Sequence, residues 1–148
     1  MWKLKTFDEL TTTELYDLLR LRAEVFVVEQ TCPFNDCDNY DSASLHLWRE
    51  ENGAPVAYAR ILPPGVYYKE ASIGRVVVPK SHRNTGAGVV LMEEALRAAK
   101  TTLPEGKGPV KIMAQQYLER WYEQFGFKTT SEPFLEDDIW HIEMILEF

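Results

Sequence analysis

The chain has 148 residues, 16 basic and 23 acidic side chains, a net charge of -7 and 45% hydrophobic residues. That length suits one domain, read here as 1–148, with a core that holds without disulfides or metals. The acidic balance, the lack of a Lys/Arg cluster and the lack of any apolar run near the ~20 residues of a membrane span argue against nucleic-acid and membrane partners.

The start, Met1 to Asp8, lacks the long apolar core of a signal peptide, so the cytoplasm is the expected location. Cys32 and Cys37 form a lone C-x4-C pair with no second Cys/His pair. They read as free thiols, and no metal is expected.

In chain order, a short strand is predicted over Trp2–Phe7. Thr11-Thr12-Thr13-Glu14 fits a capping box. The helix after it carries Leu15, Leu18, Leu19, Val25 and Phe26 at helical spacing, with Arg22 and Glu29 on the same stripe. These two read as polar groups paired at the edge of the core. The segment from Cys32 to Asp41 is polar and turn-rich, and its Asp36, Asp38 and Asp41 read as a solvated turn. Steering of a cationic acceptor is the other reading of the three.

Strands follow at Ser44–Glu50 and Val56–Leu62, joined by a hairpin turn at Glu51-Asn52-Gly53-Ala54. Arg60 and Arg75 alternate along strands, and either line a cleft or form structural ion pairs. A long strand is expected from about Glu70 to Val78, then an amphipathic helix from about Thr85 to Lys100 with Val89, Met92, Ala95, Leu96 and Ala99 as its apolar stripe. A strand at Val110–Ala114, a short helix at Tyr117–Phe125 stopped by Gly126, and a closing hairpin at 127–130 and 139–146 complete the chain. The strands flanking the second helix can lie parallel and the rest antiparallel, which is an α+β or mixed α/β fold.

The informative stretch runs from Val76 to Val89: a strand end, a glycine-containing loop and a helix start. A helix N-terminus offers unpaired N–H groups and a positive dipole end, and glycines let a phosphate approach the backbone. Arg83 adds a forked donor. No G-x-x-x-x-G-K-[ST] loop is present, and Leu91 stands where a dinucleotide fingerprint needs its third glycine. The pattern that does stand is R-x-x-G-x-G, from Arg83 to Gly88.

That pattern resembles the pyrophosphate loop of the GNAT superfamily of acyl-CoA N-acyltransferases. Tyr122-Glu123-Gln124-Phe125-Gly126-Phe127 resembles the same superfamily's Y-x-x-x-G-F element. Four further stretches resemble the ElaA-like subgroup: Leu21–Gln30 with Cys32-Pro33, Val56–Leu62, Ile73–Val76 and Glu136–Ile142. Two departures stand out. Gln115 occupies the place of a frequent Asn, and Asn84-Thr85 the place of a Gly or a charged residue.

The resemblance implies a GNAT-like fold, with a central, mixed but mostly antiparallel sheet of about six to seven strands and about four flanking helices. It implies acetyl-CoA as cosubstrate, no metal, and an N-acetyltransferase acting on the amine of a small molecule or peptide, with room for a homodimer. Coenzyme A would be held by Val76, Val77 and Val78, by Arg83, Asn84, Thr85, Gly86, Ala87, Gly88 and Val89, and by Gln115 and Tyr122. The amine would attack the acyl carbonyl directly, with Tyr122 as general acid for the departing thiolate. Glu29, His46 and His141 are candidate general bases, alone or through water. Each also reads as a structural polar group: His46 alternates with Leu45 and Leu47, and His141 lies between Trp140 and Ile142. A non-catalytic acyl-CoA-binding module is the alternative function.

Overall fold

In a computed structural model, which describes residues 1–148, eight strands form two antiparallel sheets that meet at one point. The first sheet runs β1 (Trp2–Thr6), β2 (Leu45–Glu51), β3 (Ala54–Leu62), β4 (Ser72–Val77). The second centres on β8 (Ile139–Glu147), which pairs with β5 (Pro109–Gln115), β6 (Lys128–Thr129) and β7 (Phe134–Glu136). A single parallel bridge, Ala71 to Val110, joins the sheets, and the Lys111 amide donates to the Ala71 carbonyl at 2.8 Å. The expected parallel neighbours thus touch only where β4 and β5 begin.

Helix α1 (Thr12–Arg22) starts at a capping box: Thr11 Oγ1 accepts from the Glu14 amide at 3.0 Å, and the Glu14 carboxylate accepts from the Thr11 amide at 2.9 Å. It continues over Ala23–Glu29, as the spacing of Val25, Phe26 and Glu29 suggested, but through wider π-type turns that have no local sequence signature. Leu18, Leu21, Arg22 and Val25, spaced i, i+3, i+4, i+7, are its buried face. The β2–β3 turn places Asn52 and Gly53 at φ 52 and 77, the left-handed pair that a tight hairpin of the right twist requires.

Helix α2 (Ala87–Lys100) begins two residues later than the spacing suggested and buries Leu91, Met92, Ala95, Ala98 and Ala99. Val89 and Leu96 sit at the margin of that face. The three alanines let α2 lie close on the sheet. The region expected as one helix over 117–125 is a 3-10 turn, Gln116–Leu118, followed by the short helix α3 (Glu119–Glu123).

Strand β3 is buried along nearly its whole length because helices cover both faces of its sheet. Ala57, Ala59 and Ile61 join the α2-side core, whereas Tyr58 and Trp48 pack with Leu18, Leu21 and Val25 of the α1 side. Removing side chains of this size from water stabilises the fold by roughly 1.5–3 kcal/mol each.

Candidate active site

A cleft of about 820 Å³ runs from the start of α2, through the space between β4 and β5, to the β7–β8 turn. At its first end the α2 N-terminus has no side-chain cap, so main-chain amides of the first turn keep their donors for another partner. Gly86 is the N-cap, at φ 81, a left-handed conformation that strains any residue with a Cβ. Nothing lies within 4 Å of where a Cβ at Gly86 would stand, so the space beside the turn is open. Asn84 takes a second left-handed position, φ 61, which Asn adopts more readily than most residues, so a non-glycine is tolerated there. Gly88 has another reason to be small: a Cβ there would stand 3.3 Å from the Trp121 ring. These features fit a diphosphate held mainly by backbone.

The cleft opens because β4 bends. Against β3, Tyr58 pairs with Val77 but Arg60 pairs with Gly74, so β4 carries one extra residue. Arg75, at φ 52, is the bulged position. Beyond the Ala71–Val110 bridge β4 and β5 diverge, and Val76, Val77, Val78, Ala114 and Gln115 line the resulting cleft, with the Val77 side chain packed into the α1-side core.

Tyr122 stands in the wall of the gap, its ring edge-to-face with Trp121 and Phe127. Burial, with a smaller push from Tyr117, raises its pKa to about 12, so the hydroxyl is protonated at neutral pH. Gln115 and His141 lie directly opposite one another on β5 and β8, at the same end of the gap. His141 Nδ1 is 2.7 Å from the Ile139 carbonyl, which can only accept. Nδ1 therefore donates, and Nε2 has no hydrogen-bond partner within the protein.

The other two base candidates are placed differently. Glu29 lines the cleft but grips Arg83 in a fork, and that hydrogen-bonded contact holds its carboxyl below the usual range. His46 does not line the cleft. Its Nδ1 accepts from the Tyr58 hydroxyl at 2.8 Å and its Nε2 donates to the Asp41 carbonyl at 2.9 Å, so neither nitrogen is free.

One expectation is overturned. Asp36, Asp38 and Asp41 are not a solvated turn. They interlock with three arginines from α1, β3 and β4. Arg22 reaches Asp36 at 2.9 Å and Asp41 at 2.8 Å; Arg60 reaches Asp38 at 2.8 Å and Asp41 at 3.0 Å. Arg75 Nε faces Asp36 Oδ1 at 2.7 Å, off the angle of a hydrogen bond, and its Nη2 meets Asp38 at 3.2 Å. Arg22 is 1% exposed. The charges balance three against three, which is what lets a buried set of this kind persist. Arg60 and Arg75 do line the cleft, as ion-paired wall rather than as free cations. Cys32 and Cys37 are free thiols. No group of three or more His, Cys, Asp or Glu side chains is placed to hold a metal ion.

A glycine-cornered helix start at one end of a gap between diverging strands defines the class. The acetyltransferase (GNAT) domain model matches residues 20–148, and this chain belongs to that family. Within it, the chain is similar to the Escherichia coli protein ElaA, 38% identical over 148 residues with 99% of this chain and 95% of the relative covered. It is also 42% identical over 144 residues to a UPF0039 protein of Schizosaccharomyces pombe, covering 97% and 94% of the two chains. Among solved structures it resembles an acyl-CoA N-acyltransferase from Pseudomonas aeruginosa, with TM-score 0.93, 42% identity and 99% of both chains covered. The E. coli ElaA structure matches with TM-score 0.91 and 38% identity, again over 99% of both chains.

Proposed function

We propose that the chain transfers an acetyl group from acetyl-CoA to an amine on a small molecule or peptide, by direct attack. The observation that carries this reading is the parting of β4 from β5 beside an uncapped α2 N-terminus, with Tyr122 on the same cleft, which supports reading that helix start as a phosphate cradle. Family membership supports CoA-dependent N-acyl transfer. The acetyl donor and the amine acceptor are part of our proposal.

In this reading the Gly86–Val89 turn holds the diphosphate and the pantetheine arm lies between β4 and β5. A neutral amine attacks the thioester carbonyl carbon. The C–N bond forms, the C–S bond breaks, and the leaving thiolate takes the proton of the Tyr122 hydroxyl. The proton shed by the amine passes through water to the free nitrogen of His141 or to Glu29, and Tyr122 is reprotonated from solvent. Most of the rate comes from holding the reactants in line within a water-poor gap. No helix is long and apolar enough to cross a membrane, and we place the protein in the cytoplasm. Neither nucleic acid nor a membrane is part of the proposal, and a homodimer is compatible with it.

The test is incubation with acetyl-CoA and a broad amine panel, reading thiol release and the mass of the amide. Release of one thiol per amide formed is the expected result. Tight coenzyme A binding with no release across the panel would leave the chain a binding module instead.

A further inference from the structure

The end of the cleft remote from α2 carries information about the acceptor. Two arginines line this end, and both are committed: Arg60 to Asp38 and Asp41, Arg75 to Asp36 and Asp38, at 2.7–3.2 Å. Glu136 and Asp137 line it too and are ion-paired with no Lys or Arg. On β7 and β8, Glu136 shares its face with Phe134, Ile139 and His141, as the pairing register dictates, so its side chain belongs to the cleft wall. Asp137 and Asp138 occupy both left-handed positions of the β7–β8 turn, φ 50 and 61, where the backbone alone favours Asn-Gly.

Aromatic rings complete the same end. Tyr67 and Tyr68 both line the cleft and meet edge-to-face at 4.7 Å, and Tyr40 braces Tyr67 at 5.0 Å. Glu136, Tyr67 and Tyr68 line the same cleft, so the carboxylate and the rings border one space. Tyr68 already has a cation, because Lys111 Nζ sits 4.5 Å over its ring. Tyr67 is 47% exposed. Carboxylates and an aromatic face around one space are the setting in which an ammonium or guanidinium is held. An acceptor carboxylate would find no unpaired cation there.

The amine that attacks must be neutral, so a charge recognised here belongs to a different group of the same molecule. We propose that the acceptor carries a second cationic group, which docks against Tyr67 beside Glu136 and Asp137. The inference deepens the proposed transfer reaction and rests on it for the word acceptor. The cation site itself is tested by binding.

Putrescine, butylamine and γ-aminobutyrate share a four-carbon chain and differ only at the far end. Each is titrated calorimetrically into the full chain saturated with coenzyme A. The expected result is that putrescine binds about tenfold tighter than butylamine, with γ-aminobutyrate weakest. Glu136→Gln with Asp137→Asn, and separately Tyr67→Ala, bring putrescine down toward butylamine, while the melting temperature and the coenzyme A affinity stay those of the parent. Equal affinity for putrescine and butylamine, tightest binding of γ-aminobutyrate, or no binding of any of the three overturns the proposal. Thiol release is scored in parallel. Selective putrescine binding without release sinks the transfer reading and leaves the cation site standing, whereas release from all amines without preference does the reverse.

Discussion

The Glu29 carboxylate and the Arg83 guanidinium form a fork, at 2.5 Å and 3.0 Å, while Arg83 Nε donates to the Val78 carbonyl at 2.8 Å. Arg83 is therefore engaged on two edges by the protein itself. It ties the π-type end of α1 to the turn before α2. A diphosphate arriving at that turn either relies on main-chain amides alone or takes Arg83 away from Glu29.

Glu29→Gln separates these cases. Removing the carboxylate releases one edge of Arg83 and takes a negative charge from the neighbourhood of the phosphates. A partly exposed pair of this kind is worth up to about 1 kcal/mol, so coenzyme A is expected to bind up to about fivefold tighter. The gain should shrink as salt is raised. Calorimetry at two ionic strengths reads both effects, and unchanged or weaker binding would show that the fork persists in the complex.

Tyr122→Phe removes only the hydroxyl from a ring that packs on Trp121 and Phe127. Coenzyme A affinity and melting temperature are expected to hold. The kcat should fall about a hundredfold, the lower range for losing a positioned proton donor. The alkaline limb of the pH–rate profile, set by a hydroxyl with pKa about 12, should vanish with it. Full turnover in the variant across pH removes the acid role from Tyr122.

Gly86→Ala tests the corner of α2. The obstacle is conformational rather than a clash, since a Cβ there meets nothing within 4 Å but φ is 81. Placing a side chain in that conformation costs roughly 1–2 kcal/mol, read as a lower urea midpoint. The added methyl also intrudes on the open space beside the turn, so coenzyme A should bind more weakly than the stability loss alone explains. Substitution without either effect would mean that the corner holds no ligand.

Acid sensitivity follows from the buried polar set. Burial keeps the folded His46 pKa below 6.5, so the unfolded chain binds more protons as pH falls through that value, and stability drops. For Asp38, burial alone would raise the pKa, but Arg60, the Tyr40 amide and Arg75 carry it down to about 2 from 3.8. Its contribution is complete above 3.8 and disappears between 3.8 and about 2. Urea midpoints should therefore be level above about pH 7 and fall in two stages on acidification. A midpoint that stays level until the carboxylate range would remove His46 from this account.

The uncapped helix start at one end of the cleft was legible because its parts are contiguous. Val76 to Val89 holds the strand end, the arginine, both glycines and the helix start within one stretch. The far end of the cleft was not, because its parts meet across the chain. Asp36 finds Arg22 at 14 residues' separation, Asp38 finds Arg60 at 22 and Arg75 at 37. Nothing near Asp36 in sequence marks it as buried. Strand β7 is three residues long, too short for alternation to register. The bulge at Arg75 was hidden because valines follow without a break, so the change of face leaves no trace in hydropathy. The turn aspartates, in contrast, could have been noticed: Asp137-Asp138 stands between two strand patterns where a hairpin favours Asn-Gly.

Arg75 has a double duty with a consequence for variation within the fold. Its backbone supplies the kink that parts the two sheets, and its guanidinium anchors the 36–38 loop, with Phe34 beneath it at 5.5 Å. The groove between β4 and β5 and the rim at the far end of the cleft, which the proposal gives to donor and acceptor, hang from the same pivot. A mutation that remodels the rim through Arg75 also shifts the groove, so change at the rim has more freedom at Tyr67, Glu136 and Asp137, none of which is ion-paired with Arg75.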